Sequence, residues 1–158
     1  MRVKAWAMAA ISVAIFFGGI VLSSTLGYWK TTSTKIPAVI QEGVNAGQAD
    51  PMDIRGSYTF QNISDNFGIP IVDLAKAFGV TTNPVVFKCK DLEVLYGDLT
   101  DVEIGTESVR YFVALYKGIP VQDSDAADLP ASAAEVLREK ATLSDIQLEQ
   151  LAQKTIEI

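Results

Sequence analysis

The sequence contains no histidine and a single cysteine, Cys89. Without an imidazole the chain has no Ser-His-Asp triad, no histidine general base and no histidine metal ligand. One thiol cannot build a zinc, iron–sulfur or haem-attachment cluster. No glycine-rich phosphate loop and no dinucleotide fingerprint occurs either. Basic residues are few, and four of the 13 (Arg2, Lys4, Lys30 and Lys35) flank the N-terminal apolar run. Residues 36–158 therefore hold nine basic and all 19 acidic residues, a net charge of −10. A surface of that sign repels phosphate backbones, so no nucleic-acid partner is expected.

The remaining chemistry-bearing groups are carboxylates, tyrosines and scattered lysines. Asp91, Glu93, Asp98, Asp101 and Glu103 form the densest carboxylate series. They lie on a charge-rich connection, where solvated charge is the ordinary role and acid–base work would need convergence on one point. The acidic stretch VQDSDAADLP lacks the D-x-D-x-D-G spacing and distal Glu of a calcium loop and reads as a solvated loop. Cys89, in FKCKD, reads as a half-buried packing residue, with a redox or intermolecular-disulfide role as the alternative. No enzymatic activity, metal or cofactor is expected.

What the chain does have is one long uncharged run, AWAMAAISVAIFFGGIVLSSTL, from Ala5 to Leu26. As a helix rising about 1.5 Å per residue, it spans roughly 30 Å of hydrocarbon. Trp6 at one end, and Tyr28 with Trp29 at the other, stand where amphipathic rings favour the membrane interface. A cleavable signal peptide usually has a shorter apolar core and a clean small-residue cleavage site, so an uncleaved anchor is the expectation. Ala10, Ala14 and Gly18 recur every fourth residue and offer a face on which a second membrane helix can approach closely; ordinary use of small residues is the alternative. Basic residues flank both ends, so the charge bias is slight. A short basic lead before a single span places the amino terminus in the cytoplasm and the acidic domain outside the plasma membrane.

Residues 30–56 are rich in Thr, Ser, Gly, Ala and Pro without a sustained period and read as a stalk. The expected organisation is thus an anchor over 1–29, a linker over 30–56 and a soluble helical domain over 57–158. Within the domain, ISDNFGIPIVDLAKAFGV has the outline of a helix-turn-helix. Thr59 caps a first helix whose apolar residues are Phe60, Ile63 and Phe67, Gly68 ends it, and Pro70 opens a second helix that runs to Gly79. Residues 70–79 offer one basic side chain, Lys76, beside Asp73, which is too little charge for a DNA reader. The pair reads as a helical hairpin closed by Ile63, Phe67, Ile69, Leu74 and Phe78.

Further helices are expected near Asp91–Tyr96, in SVRYFVALYKG, where Thr106 is the cap, Val109, Phe112, Val113 and Tyr116 make one apolar stripe and Gly118 is the stop, and after two capping boxes, Ser132 with Glu135 and Ser144 with Gln147. Val136, Leu137, Ile146, Leu148 and Leu151 are the expected packing residues of the last two helices. Only VVFKC hints at a strand. The fold class is all-α: one N-terminal transmembrane helix plus a small soluble domain of about five or six short helices arranged as hairpins.

The segments DIRGSYTFQNISDNFGIPIVDLAKAFGV, FKCKDLEVLYGDLTDVEIGTESVRYFVALYKGIP and LPASAAEVLREKATLSDIQLEQL resemble a group of small, uncharacterised membrane-anchored prokaryotic proteins. The D-I-R-G-x-x-T-F hairpin is also similar to tail segments of membrane-bound 4Fe-4S polyferredoxin-type proteins. That resemblance implies the company of a membrane complex with iron–sulfur or haem subunits. The cluster-binding cysteines of polyferredoxins are absent here, so the chain itself would hold no cluster.

Three roles follow from these features. The first is a non-catalytic, single-span accessory or structural subunit of a larger membrane complex of the respiratory or electron-transfer kind. The second is a membrane-tethered binding module for a small ligand or peptide, using Tyr58, Tyr96, Tyr111 and Tyr116. The third is a membrane-tethered DNA-binding regulator.

Overall fold

Thr59 sits in extended backbone and turns the chain into helix α1, Phe60–Phe67. Its Oγ1 accepts the Asn62 N–H at 3.2 Å, while Asn62 Oδ1 accepts the Thr59 N–H at 3.0 Å. Two otherwise unpaired backbone donors at the helix start are thereby satisfied. Gly68, at φ 67°, ends α1 in the left-handed region that favours glycine. Pro70 then precedes α2, Ile71–Ala77. The expected hairpin is present, and Ile63, Phe67, Ile69, Leu74 and Phe78 are all buried.

The computed structural model describes residues 6, 8, 12–15, 17, 18, 35–97, 99 and 102–158. It is mostly helical. After α2 come a 3-10 turn, Cys89–Asp91, and the short helix α3, Leu92–Leu95. Helix α4, Thr106–Tyr116, follows, then α5, Ala131–Lys140, and α6, Asp145–Lys154. The expected strand in VVFKC is instead a turn leading into one isolated antiparallel bridge between Lys88 and Thr59. The regular β-structure among the described residues is a two-residue parallel pair that brings β1, Leu129–Pro130, beside β2, Thr155–Ile156.

Helix α4 is the centre of the domain. A single stripe was the expectation, yet Ser108, Val109, Tyr111, Phe112, Val113, Ala114 and Leu115 are all buried. A helix apolar nearly all round must be covered on every side. Here α5, the 3-10 turn Pro51–Asp53 and the Cys89–Asp91 turn cover it. Aromatic rings link the elements: Phe60 meets Phe87 at 5.3 Å and Phe78 at 5.9 Å, and Phe78 meets Phe112 edge-on at 5.4 Å.

The linker expectation is corrected over residues 35–56, because the compact unit begins at Lys35. Ile54 is fully buried. Asp53 Oδ2 accepts the Ala38 N–H at 2.8 Å, and Arg110 Nε donates to the Ile54 carbonyl at 2.7 Å. Asn66 Nδ2 donates to the Lys35 carbonyl at 2.7 Å, and Lys35 Nζ lies over the Tyr58 ring. These are non-local polar links, which leave no periodic trace in sequence.

Two capping expectations also change. Gly105, not Thr106, is the cap of α4, and its N–H donates to Ser108 Oγ. Pro130 caps α5, while Ser132 Oγ donates to the Ala77 carbonyl at 2.7 Å and so joins α5 to the end of α2. The Ser144 box is present, with Ser144 Oγ accepting the Gln147 N–H and Gln147 Oε1 accepting the Ser144 N–H.

The N-terminal unit is described separately. Residues 6, 8, 12–15, 17 and 18 are helical. Among the described residues no helix is long and apolar enough to cross a membrane.

Candidate interaction surface

Of the carboxylates considered for acid–base work, Glu93 and Glu103 share one groove, and Asp91 stands apart from it. Asp91 Oδ2 accepts the Lys88 N–H at 3.0 Å and serves as a local cap. Glu93 and Glu103 line an open groove of about 250 Å³ with Tyr96, Leu99 and Val102. Asp98 and Asp101 lie outside the described residues. No group of three or more metal-ligating carboxylates or thiols occurs among the described residues.

Cys89 is fully buried rather than half-buried, and burial pushes its thiol up to about 12. Nucleophilic and redox chemistry needs the thiolate, which this setting suppresses. The four tyrosines are structural as well. Tyr58 and Tyr111 are fully buried, and burial raises the pKa of both. Tyr96 donates to the Phe78 carbonyl at 3.0 Å, and Tyr116 donates to Asp73 Oδ2 at 3.0 Å. They do not form the exposed aromatic surface that a ligand module would use.

The hairpin is likewise committed to packing. Helix α2 lies against α1 and α5, and its cation Lys76 pairs with Glu139 at 3.4 Å. The exposed Val72 faces outward where a DNA-reading helix would carry polar groups.

Of the membrane-face residues, Ala14 and Gly18 are helical and exposed, four residues apart, and a Cβ at Gly18 would meet nothing within 4 Å. Trp6 is also helical and exposed, whereas Ala10, Tyr28 and Trp29 lie outside the described residues.

Other surface features of the Lys35–Ile158 unit include three hollows. One is a cleft of about 450 Å³ lined by Gln48, Ala49, Asn66, Phe67, Lys117 and Ile119. Its polar groups are partly committed, since Asn66 Nδ2 already bonds the Lys35 and Asn62 carbonyls. The second is a groove of about 360 Å³ between α6 and the chain after α4, with Pro120, Val121, Ile146 and Gln150 in its wall. The third lies along α6 and includes Ala141, Leu143 and Leu148, with Arg138 at its side.

The last two flank one helix. Ile146 and Leu148, expected in the core, are 70% and 42% exposed, and Leu151 is the buried residue of α6. The helix is held to the domain by Leu151, by the β1–β2 pair, by Gln150 donating to Asp123 at 2.6 Å, and by a Lys154–Asp128 contact at 4.0 Å. An apolar periodicity seen only in sequence could not reveal that this helix leaves two of its three aliphatic residues uncovered.

No protein family matches the chain, and no curated protein or solved structure matches it either.

Proposed function

We propose that the chain is a non-catalytic, single-span accessory subunit of a larger membrane complex. An N-terminal transmembrane helix tethers it, and the helical domain docks on the extracytoplasmic side. The observation that carries this proposal is the character of the N-terminal helical residues. Trp6 and Phe17 are 71% and 65% exposed, and Met8, Val13 and Ile15 are exposed beside them. Large apolar side chains turned outward on an uncharged helix are stable in lipid and costly in water. The open Ala14–Gly18 face supports close packing against a second membrane helix. The suppressed thiol of Cys89 favours docking over thiol chemistry.

Alkaline extraction of native membranes tests the anchor: the full chain stays in the pellet if it spans the bilayer and is released if it does not. A mild-detergent pull-down of the tagged chain tests the subunit role through stoichiometric partners. A haem or iron–sulfur absorption spectrum in that eluate tests the electron-transfer company, which rests on resemblance alone. A C-terminal reporter active only outside the cytoplasm supports the orientation and excludes a DNA-binding role; the converse overturns the orientation.

The cleft beside Lys117 favours a second reading, a tethered binding module for a small ligand or peptide. That module predicts a ligand-induced rise in thermal stability of the full chain.

A further inference from the structure

Residues 36–50 have the composition of a linker, yet they are folded back on themselves. Val39 and Ala49 pair in an antiparallel bridge, and the Asp50 N–H donates to the Ala38 carbonyl at 2.8 Å. The Ile40 N–H donates to the Gln48 carbonyl and the Gly47 N–H to the Ile40 carbonyl, each at 2.9 Å. Gly43 and Gly47, at φ 87° and 89°, turn the loop. These bonds are internal to one hairpin, so they form and break together. The hold of the hairpin on the body is polar and slight. Of residues 36–50 only Pro37 is buried, Val44 is 95% exposed, and Ala49 is partly covered by the core. Gln48 and Ala49 share the cleft of about 450 Å³ with Asn66, Phe67, Lys117 and Ile119, so the base of the hairpin does not close against the body there. The fastenings are the Ala38 N–H on Asp53, the Asn66 amide on the Lys35 carbonyl, and Lys35 Nζ on the Ser57 carbonyl and over the Tyr58 ring. Beyond them the chain is fixed again from the buried Pro51.

We propose that Lys35–Asp50 is a releasable length of tether, which opens as a unit while residues 51–158 stay folded. The inference rests on the membrane-anchor reading and adds a change of reach to it. Ordering this loop is opposed by conformational entropy that little apolar burial offsets, so closure is only weakly favoured. When the hairpin is closed, its hydrogen-bonded ends Ala38 and Asp50 contribute almost no reach. When it is open, the same stretch extends at most roughly 40 Å and averages about 20 Å as a flexible coil. Release therefore lets the domain dock farther from its anchor without unfolding.

The test is native-state hydrogen exchange on the full chain in nonionic detergent. The amides of Ile40, Gly47 and Asp50 are expected to exchange at least about 100-fold faster than those of Val113, Ala114 and Leu115 in α4, through an opening that low denaturant does not accelerate. A lock then separates hairpin opening from other routes of exchange. Val39 and Ala49 form a non-hydrogen-bonded antiparallel pair, whose Cα atoms stand about 4.5 Å apart, within disulfide range. In the variant Val39→Cys with Ala49→Cys, oxidation should slow exchange at Ile40, Gly47 and Asp50 about tenfold or more and leave α4 unchanged. The native Cys89 is buried and does not compete, and an unchanged thermal transition verifies that the variant is folded.

Hairpin amides that exchange only together with α4, with the same denaturant dependence, overturn the proposal. Equal hairpin exchange in the oxidised and reduced variant overturns it as well. If the chain stays in alkaline-extracted membranes while the hairpin fails either test, the anchor reading stands and the releasable tether falls. If the hairpin opens but alkali releases the chain, the segment tethers nothing, and both readings fall.

Discussion

Ser132→Ala separates two roles for one hydroxyl by the sign of its effect. The pattern Ser132 with Glu135 predicts a reciprocal cap at the start of α5, but the hydroxyl donates to the Ala77 carbonyl across the α2–α5 contact at 2.7 Å. Serine is a poorer helix former than alanine by roughly 0.5 kcal/mol, so a serine with no partner is improved by the change. Loss of a neutral, half-buried hydrogen bond costs about 1–1.5 kcal/mol. The net expectation is a destabilisation of about 0.5–1 kcal/mol, or about 2–4 °C in Tm for a unit of this size. Glu135 is exposed, and Glu135→Ala should stay within about 0.5 kcal/mol of wild type. A true capping box would make both variants fall by similar amounts. Near-ultraviolet circular dichroism is the suitable probe, because Tyr58 and Tyr111 are buried in the unit while Trp6 and Trp29 precede Lys35, where it begins. Stabilisation by Ser132→Ala, or an equal loss from Glu135→Ala, would refute the interhelical bond.

Gly68→Ala should destabilise by about 1 kcal/mol in a thermal melt, and Gly68→Asn by about half as much. An added Cβ meets no atom within 4 Å there, so the cost is that of the left-handed backbone alone, and a neutral alanine variant would contradict it. The Asp53 carboxyl is held below its usual pKa, first by the Ala38 N–H and then by Arg55. A depressed carboxylate stabilises above its unfolded pKa and loses that contribution as pH falls through the folded value. Asp53→Asn should therefore show a shallower acid loss of stability below about pH 4, with faster amide exchange at Ala38; an unchanged acid limb would count against the link. Cys89 should resist aromatic disulfide reagents until the chain is denatured. Its pKa is raised from 9.0 to about 12, so its stabilising contribution is complete below pH 9 and declines between those values. Stoichiometric labelling of the native chain at neutral pH would disprove its burial.

The parts of the fold legible in sequence are those decided within four residues. Gly68, Gly79 and Gly118 do adopt positive φ at the ends of α1, α2 and α4. Thr59 caps α1 and Ser144 caps α6, because each meets a partner three residues away. What escapes is decided across tens of residues. Ser132 has an equally good local partner in sequence, yet a carbonyl 55 residues earlier takes its hydroxyl. The segment over 35–56 has no apolar period, and its place on the domain depends on Ile54 and on bonds to Asp53, Asn66 and Arg110. Tyr111 and Leu115 lie off the expected stripe of α4 and are buried because α4 is covered on several sides at once.

Helix α6 fails the same test in the opposite direction. Apolar spacing correctly places Ile63, Phe67 and Leu74 in the core, because α1 and α2 have facing elements to receive them. In α6 the spacing gives Ile146, Leu148 and Leu151, but only Leu151 finds a place in the interior. Full burial of an Ile or Leu side chain is worth about 1.5–3 kcal/mol, so two exposed aliphatic residues on one short helix represent stabilisation that the domain leaves unused. Isolated exposed aliphatics are common on protein surfaces and need no explanation. Here, however, Ile146 lines a groove of about 360 Å³ with Pro120 and Val121. The apolar spacing of α6 is therefore met by one buried contact through Leu151 and, at Ile146, by a groove where a facing element would complete the core.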